Sequence, residues 1–421
     1  MPGRPSHRRR AEAPSAPDVQ RPPARRSRRE HTFMSSIGRP FLAVAAAVVL
    51  VTTASACESS DSGGDAKPTS SRTVTAKQKL DLSLPTALPT SVADLKKWED
   101  AYKRGAWKNW DKSQWLRKAA DFVNPVIDGL WNDDRMKGAD PGDKPVPANV
   151  PADQGQTDRA PAPVAAQAVA TPYHRSAPDV GKLFFDSPKG SMVCSATVIQ
   201  DPAHPGKSNL VWTAGHCVHA GAEGGWYRNI AFVPAYNDSG QSSAALKGAK
   251  RNVLAPYGVY WADGAATSQQ WIDTGAEEGG SGSPYDFAVL HVTPEKGGKS
   301  LEETVGSAMP VWFDAPATAQ VGTLDAWGYP AAPPYDGQRM YNCAGRPGRL
   351  SLDSAQPTEY RLGCTMTAGS SGGGWFATKP DGTTALVSNT SIGPVTATWL
   401  AGPRLGADAK KVYDSVVKKF S

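Results

Sequence analysis

The spacing of hydrophobic residues changes near residue 171. Beyond it, short runs rich in β-branched and aromatic residues recur between Gly, Pro and Asn, for example at 192–199, 253–260 and 287–292. Many short strands with turn residues between them are typical of a β-barrel or sandwich. We therefore predict an all-β domain over 171–421. The last stretch, 407–420, spaces its apolar residues for one terminal amphipathic helix.

Before residue 171 the apolar residues first follow a helical spacing, and the last part of this region has no regular spacing. Apolar residues recur at three- and four-residue intervals at 92–102 and again at 116–130, where Pro125 interrupts the pattern. We predict a Trp-rich helical segment over 91–136 whose rings bury one another. A pro-segment packed on the following domain and a partner-binding module are the alternatives. Residues 137–170 are rich in Pro, Ala, Gln and Asp, which predicts a linker.

The first 56 residues predict a basic leader and a signal peptide. Residues 41–54 are apolar or small throughout, but this run is shorter than the about 20 residues that a bilayer span needs. It suits the apolar region of a signal peptide instead. Met34 is an alternative start to Met1, since it would give a short basic region before that run.

Cys57 follows Ala54-Ser55-Ala56, which is similar to a bacterial lipobox, although that motif usually has Leu where Ala54 stands. Lipidation of Cys57 would make residues 57–90, which have the composition of a flexible segment, a tether at the cell surface. Ordinary cleavage after Ala56 would give a secreted product instead. Both alternatives place the protein outside the cytoplasm.

Charge and cysteine content narrow the function further. Residues 1–33 carry nine arginines and three acids, which account for the whole net charge of +6, so the rest of the chain is neutral. A nucleic-acid-binding domain would carry the positive excess itself, so this class is excluded.

Four of the five cysteines lie in the β-rich half, which indicates two disulfides and an oxidising compartment.

Candidate chemistry begins with the segment 364–375, Cys-Thr-Met-Thr-Ala-Gly-Ser-Ser-Gly-Gly-Gly-Trp. Its glycines permit a sharp turn and a backbone cradle for an oxyanion, but its serines are weak nucleophiles without a base. Leu-Val-Trp-Thr-Ala-Gly-His-Cys, which ends at Cys217, offers His216 as that base. Tyr-Asp-Phe-Ala-Val-Leu at 285–290 places Asp286 at the head of an apolar strand, where it can orient an imidazole.

Other residues of these types lack the same context. A second Gly/Ser loop at 280–284, which contains Ser281 and Ser283, has no cysteine upstream, and we predict an exposed loop there. The remaining candidates, which lie outside the motifs or have no apolar strand behind them, are His219, His291 and Asp273.

The order His216, Asp286, Ser371 is that of trypsin and chymotrypsin and differs from the orders in α/β-hydrolases and subtilisin. Thr-Ala-Gly-His-Cys, Tyr-Asp-Phe-Ala-Val-Leu and Gly-Ser-Ser-Gly-Gly-Gly-Trp resemble the three catalytic segments of a chymotrypsin-fold serine peptidase. Val-Gly-Lys-Leu-Phe-Phe and Trp-Gly-Tyr-Pro, which begin at 180 and 327, are similar to the bacterial glutamyl-endopeptidase-like branch. The resemblance covers about 172–421. It implies two six-stranded antiparallel β-barrels with a C-terminal helix, preceded here by a small helical pro or tether region.

The resemblance also implies a role for each motif residue. Ser371, which directly precedes Gly-Gly, would attack the scissile carbonyl, His216 would take its proton, and Asp286 would orient His216. The amides of Gly369 and Ser371 would form the oxyanion hole, where one donor is worth about 3–4 kcal/mol. The implied disulfides are Cys194–Cys217 and Cys343–Cys364. The implied partner is a protein or peptide substrate, with a monomeric enzyme and no cofactor or metal.

Two places depart from the family pattern. Trypsin-type enzymes have an aspartate where Ser370 stands, so activation by an ion pair with a newly cut N-terminus is not expected here. By position, the substrate pocket would have Thr365 at its base and Val387, Ser388 and Asn389 in its wall. No histidine lies at 386–391 and Thr365 is uncharged, so we expect neither glutamyl specificity nor selection of Lys or Arg.

These observations favour an exported serine endopeptidase. The alternative from another class is a cell-surface lipoprotein whose peptidase fold has become an inactive binding module, which the presence of all three motif residues disfavours. A zinc site of Cys and His is a further alternative, but no short paired Cys spacing supports it.

Overall fold

The computed structural model describes residues 124, 126–142, 144–147 and 156–421, with the exception of 188, 277 and 319. All of them lie in the unit Ala76–Ser421. The predicted leader, signal peptide, Cys57 tether and most of the Trp-rich segment lie outside the described residues, as do both alternative start codons.

The described strands and helices are short, apart from those of the barrel and the C-terminal helix. The strands are β1 Asp140–Pro141, β2 Pro145–Val146, β3 Gln167–Ala168, β4 Val180–Ser187, β5 Gly190–Ile199, β6 Leu210–Thr213, β7 Arg228–Pro234, β8 Tyr260–Thr267, β9 Ala288–Pro294, β10 Leu324–Gly328, β11 Tyr341–Gly345, β12 Gly348–Leu350, β13 Glu359–Gly363, β14 Gly374–Thr378, β15 Thr384–Asn389, β16 Gly393–Pro394 and β17 Trp399–Gly402. The helices are α1 Asp133–Lys137, α2 Tyr173–Ser176, α3 Arg251–Leu254, α4 Gln269–Thr274, α5 Leu301–Val305 and α6 Ala407–Phe420.

Six strands close into an antiparallel barrel in the order β5-β4-β7-β8-β9-β6, and β6 returns to β5. Alternate side chains of a strand point to opposite faces. Leu183 and Phe185 of β4 therefore join one apolar cluster, while Phe184 between them joins a second. Both faces of this strand are covered, which explains why its apolar residues 183–185 are consecutive instead of alternating with polar ones.

The C-terminal half contains two sheets. One has the strand order β15-β14-β10-β11-β3 and the other the order β12-β13-β17. The Cys343–Cys364 disulfide joins β11 to the end of β13 and so ties the two sheets together. The mostly β fold and the first barrel are confirmed, whereas the described strands of this half do not close into a second six-stranded barrel.

The predicted C-terminal helix is present as α6, which buries Ala409, Val412 and Val416. The strand predicted at 253–260 is wrong: α3 occupies its first residues and β8 begins only at Tyr260. Pro256 lacks an amide proton for a ladder, and Gly258 has a φ of 84°, so this stretch turns instead of pairing.

The Pro-rich segment before the β domain supplies edge strands where it is described. β1 pairs with β5 and β2 with β16, both in parallel, and β3 pairs antiparallel with β11. Upstream of it, Trp131 is fully buried and donates its indole N–H to the carbonyl of Asn229 over 2.7 Å. The described part of this region is therefore packed on the β strands. No helix among the residues described is long and apolar enough to cross a membrane.

Candidate active site

His216 lies in a helical turn, Gly215–Cys217, directly after β6. The Cys194–Cys217 disulfide, present as expected, fixes this turn to β5. Gly215 is required because a Cβ there would lie 2.9 Å from the Trp271 ring. The sulfurs of Cys194 and Cys217 approach His216 closely enough to suggest a metal site, but they are bonded to each other and so are not thiolate ligands.

Asp286 follows the turn Ser283–Tyr285 and is fully buried. Its Oδ1 accepts the backbone N–H of His216 over 2.7 Å, and its Oδ2 lies 2.7 Å from His216 Nδ1. The hydroxyl of Ser391 also donates to Oδ2. Burial alone would raise the pKa of this carboxyl, but the charges of His216 and Lys144 and these hydrogen bonds lower it overall. An ionised carboxylate only accepts, so Nδ1 carries the imidazole proton and Nε2 is the free base position.

Asn389 supports Asp286 from beneath. Its side-chain amide donates to the backbone carbonyl of Asp286 over 3.0 Å, and its oxygen accepts the indole N–H of Trp212 over 3.0 Å. All three residues are fully buried. Sequence reasoning placed Asn389 in the substrate pocket, and no local motif shows this contact because Asn389 and Asp286 lie 103 residues apart.

The serine segment lies against the chain that leads to His216. The carbonyl of Ser371 accepts the amide of Ser195 over 2.7 Å. Gly372 has a φ of 77°, and a Cβ there would overlap the hydroxyl of Thr213 and lie 2.5 Å from the carbonyl of Ser195. Only glycine allows this close approach. His216 Nε2 is buried and has no hydrogen-bond partner among the described residues, so no bond from Ser371 Oγ is formed in this structure.

Two backbone amides of the serine segment have no acceptor among the residues described. These are the amides of Gly369 and Ser371, whereas the intervening Ser370 amide donates to the carbonyl of Thr367 over 3.2 Å. Gly369 has a φ of 93°, and a Cβ there would lie 2.7 Å from the carbonyl oxygen of Tyr329. These two unpaired donors, the amide of Ser371 itself and the amide two residues before it, are suitable for binding an anionic oxygen at Ser371.

A cavity of about 210 Å³ opens beside Ser371. Residues 366–368 and 370–371 line one side and 390–395 another, and none of the described residues that line it is charged. Such a cavity accepts an uncharged side chain, because a buried charge without a partner is costly.

The four residues assigned to the pocket from the sequence lie elsewhere. The Thr365 hydroxyl accepts the amide of Ala166 over 2.9 Å, and Val387 belongs to an apolar cluster of the C-terminal sheets. The Ser388 hydroxyl donates to the carbonyl of Pro403 over 2.7 Å, and Asn389 lies beneath Asp286. The wall beside Ser371 is the next stretch of chain, 390–395, and its Ser/Gly/Pro composition carries no specific signal.

The rival residues take part in other contacts. Ser281 donates to the carbonyl of Thr274, and Ser283 donates to Glu359 over 2.8 Å. Ser283 is fully buried, so the prediction that the whole 280–284 loop is exposed is wrong. The other rivals are similarly placed: burial lowers the pKa of His219 to about 3, His291 stacks on Phe420, Asp273 lies in α4, and Ser370 donates to Thr367.

Lys144, which sequence reasoning missed, is buried beside this site. Its Nζ lies 4.0 Å from Asp286 Oδ2 and 4.0 Å from the centroid of the Trp271 ring. Burial lowers the pKa of Lys144 to about 8. Burial also raises the pKa of the neighbouring Glu359 to about 8. A lone lysine in a Pro-rich stretch gives no signal of this kind in the sequence.

Several solved structures are similar to this chain. A thermostable serine protease, AL20, from an extremophilic microorganism is 30% identical over 57% of this chain and 97% of that protein, with a TM-score of 0.46. The protease Anisep from Arthrobacter nicotinovorans is 28% identical over 60% of this chain and 99% of its own, with a TM-score of 0.46. A Glu endopeptidase in complex with MPD is 18% identical over 60% and 96% of the two chains, with a TM-score of 0.43. No protein-family model and no curated protein matches the sequence.

Proposed function

The chain belongs to the chymotrypsin-fold serine proteases, and we propose that it is an exported endopeptidase that uses Ser371, His216 and Asp286. The observation that carries this proposal is the buried pair of Asp286 and His216 Nδ1, 2.7 Å apart, with the serine segment packed beside it. The glutamyl-endopeptidase-like branch stays a prediction.

In the proposed reaction His216 Nε2 takes the proton of Ser371 Oγ as that oxygen attacks the scissile carbonyl. The carbonyl oxygen becomes an anion and binds the amides of Gly369 and Ser371, each worth about 3–4 kcal/mol in the transition state. The C–N bond then breaks, and the imidazolium gives its proton to the leaving amine. Water then attacks the acyl-enzyme ester while Nε2 takes one of its protons, and the imidazolium gives that proton to Ser371 Oγ as the ester bond breaks and the acid product leaves.

The missing hydrogen bond between Nε2 and Ser371 is compatible with this role. Catalytic hydrogen bonds of unliganded enzymes are often long and tighten only when substrate binds. Asp286 already holds the tautomer that leaves Nε2 free to accept a proton. We further propose that the uncharged cavity beside Ser371 binds an uncharged side chain of the substrate.

Export is part of the same proposal. Two disulfides in the β domain are typical of an oxidising compartment. We propose that residues 1–56 are a leader and signal peptide and that the mature protein is either anchored through Cys57 or secreted. Intact-mass analysis of the protein from membranes and from medium would distinguish a diacylated Cys57 from an unmodified N-terminus.

The decisive experiment is labelling with a small organophosphonate, which reacts with an activated serine. We expect Ser371→Ala to abolish labelling, whereas the matched variants Ser370→Ala and Ser281→Ala retain it. If the folded wild-type protein is not labelled, the peptidase proposal fails and the binding-module alternative is favoured.

A further inference from the structure

The strand that forms one wall of the cavity beside Ser371 is already paired along an edge. β2 runs parallel to β16, with Pro145 opposite Gly393 and Val146 opposite Pro394. The preceding residue, Ile392, bridges to Ala401 on β17. Extended peptides commonly bind by adding a strand to a free sheet edge. β2 takes the edge that a peptide entering this cavity would use.

The direction of β2 is opposite to that of a productive substrate. Ser371 lies near the start of the wall, since the amide of Gly372 donates to the carbonyl of Thr390 over 2.8 Å. A substrate with its scissile carbonyl at Ser371 and its preceding residues along the wall must run antiparallel to β16. β2 runs parallel to β16, so it presents no peptide bond to Ser371 in the productive direction.

Side chains at both ends of this segment are anchored. Val146 is 2% exposed and packs in an apolar cluster with Leu350, Ile392 and Trp399. Lys144 is 1% exposed, with its ammonium near Asp286 and over the Trp271 ring. The segment therefore combines an apolar side chain in the groove with a cation beside the carboxylate that orients His216.

The second Gly/Ser loop, with the residue before it, contacts this segment. The amide of Gly279 donates to the carbonyl of Pro145 over 3.3 Å, and the Lys144 ammonium lies 3.4 Å from the carbonyl of Ser281. A Cβ at Gly280 would lie 3.3 Å from Val146 Cγ1, so a small residue is needed for the contact. The loop thus clamps the segment against β16.

The sequence Lys-Pro-Val-Pro at 144–147 suits an extended inhibitor. Proline fixes its own φ and disfavours helical conformations in the residue before it, so the two prolines hold the segment extended before it binds. A preorganised segment loses little conformational entropy on docking. The buried Lys144 opposes binding of the segment, because burial destabilises the charged ammonium and lowers the pKa of Lys144.

We propose that residues 144–147 are an internal inhibitory strap that occupies the groove for extended peptide substrates. The proposal rests on the peptidase function proposed above. None of the strap residues lines the cavity beside Ser371, so substrates that fill only this cavity still reach the serine. Extended peptides must displace the strap, and its release is the activating step of this protein. This step takes the place of the ion pair with a newly cut N-terminus, which Ser370 cannot form.

The test is Val146→Asp in the full-length protein, because a carboxylate is not tolerated in the apolar cluster. The matched control is Val126→Asp, at a valine that is 45% exposed. We expect kcat/KM for a peptide extended by several residues before the scissile bond to rise by about tenfold or more, the order expected for losing one buried valine side chain. For a single-residue ester, kcat/KM of Val146→Asp should stay within about twofold of the wild-type value, a change below about 0.5 kcal/mol. In the control Val126→Asp, kcat/KM should stay within the same limit for both substrates.

Titration of each preparation with the organophosphonate separates failure of the strap from failure of the peptidase. If the titrated sites are intact and both substrates react as in the wild type, or both react more slowly, the strap proposal is overturned. If no preparation is titrated, the peptidase proposal itself fails. If Val146→Asp does not fold, Val146→Ala replaces it. This variant should raise kcat/KM for the extended peptide by a smaller factor and leave kcat/KM for the ester unchanged. An unchanged kcat/KM for both substrates would overturn the inference.

Discussion

Replacing Asn389 tests whether this residue supports Asp286 or contacts substrate. Asn389→Leu keeps a similar volume but removes both polar atoms, which leaves the indole N–H of Trp212 and the carbonyl of Asp286 buried and unpaired. Each unpaired buried group costs about 1–3 kcal/mol, so we expect the two together to lower the free energy of unfolding by about 2–6 kcal/mol. A domain in the middle of the usual range of about 5–15 kcal/mol stays folded after this change.

The measurement is urea unfolding followed by tryptophan fluorescence, in a Ser371→Ala background that prevents self-digestion. Trp212→Phe provides the matched partner, because it removes the donor instead of the acceptor. The double variant should cost less than the sum of the two single variants, since neither of the paired groups is then left alone. In the active background we expect kcat to fall while the preference among uncharged substrate side chains stays the same.

A different pair of results is expected if Asn389 contacts substrate instead of supporting Asp286. A stability change below about 0.5 kcal/mol is the usual size for a surface substitution. If Asn389→Leu changed stability by less than this amount and also altered the substrate preference, the Asn389 side chain would lie in the substrate pocket, as the sequence predicted.

Three further predictions concern buried charge, close packing and the second disulfide. Glu359→Gln should make the urea midpoint depend less on pH. Burial raises the pKa of Glu359 in the folded protein to about 8. The stability that Glu359 contributes is therefore complete below its ordinary pKa of 4.5 and is lost as the pH rises through 8. Gly372→Ala should abolish activity in an assay with the single-residue ester, whereas Gly382→Ala, which also has a positive φ but has no atom within 4 Å of its Cβ, should cost only about 1–2 kcal/mol of stability. Replacing Cys343 and Cys364 by serine should lower thermal stability by about 3 kcal/mol, since the disulfide closes a loop with a sequence separation of 21.

The sequence predicted best what short motifs encode locally. His216 follows a buried strand and is tied down by an adjacent cysteine, and Asp286 stands at the head of another strand, so their meeting follows from two strands of one barrel. The fold class and the C-terminal helix follow from residue spacing in the same way. Each of these signals depends on residues that are close together in the sequence.

Long-range pairing is what the sequence did not show. Asn389 bonds to Asp286 across 103 residues, and the pocket wall at 390–395 is recognisable only once the serine segment is placed beside it. Lys144 lies in a stretch whose composition predicts a linker. Such a stretch can still pair with a sheet, because an edge strand needs main-chain hydrogen bonds and few apolar side chains.

The short strands β1 and β3 bear on how the protein stays in solution. Each covers an outer edge of a sheet, β1 on β5 and β3 on β11. An uncovered edge presents unpaired amides and carbonyls to other chains and is a common starting point for aggregation. A chain that began at residue 171 would keep the serine and the histidine but would expose both edges together with the surface under Trp131. We therefore expect the segment before the β domain to limit self-association of the folded protein, whether or not residues 144–147 are released.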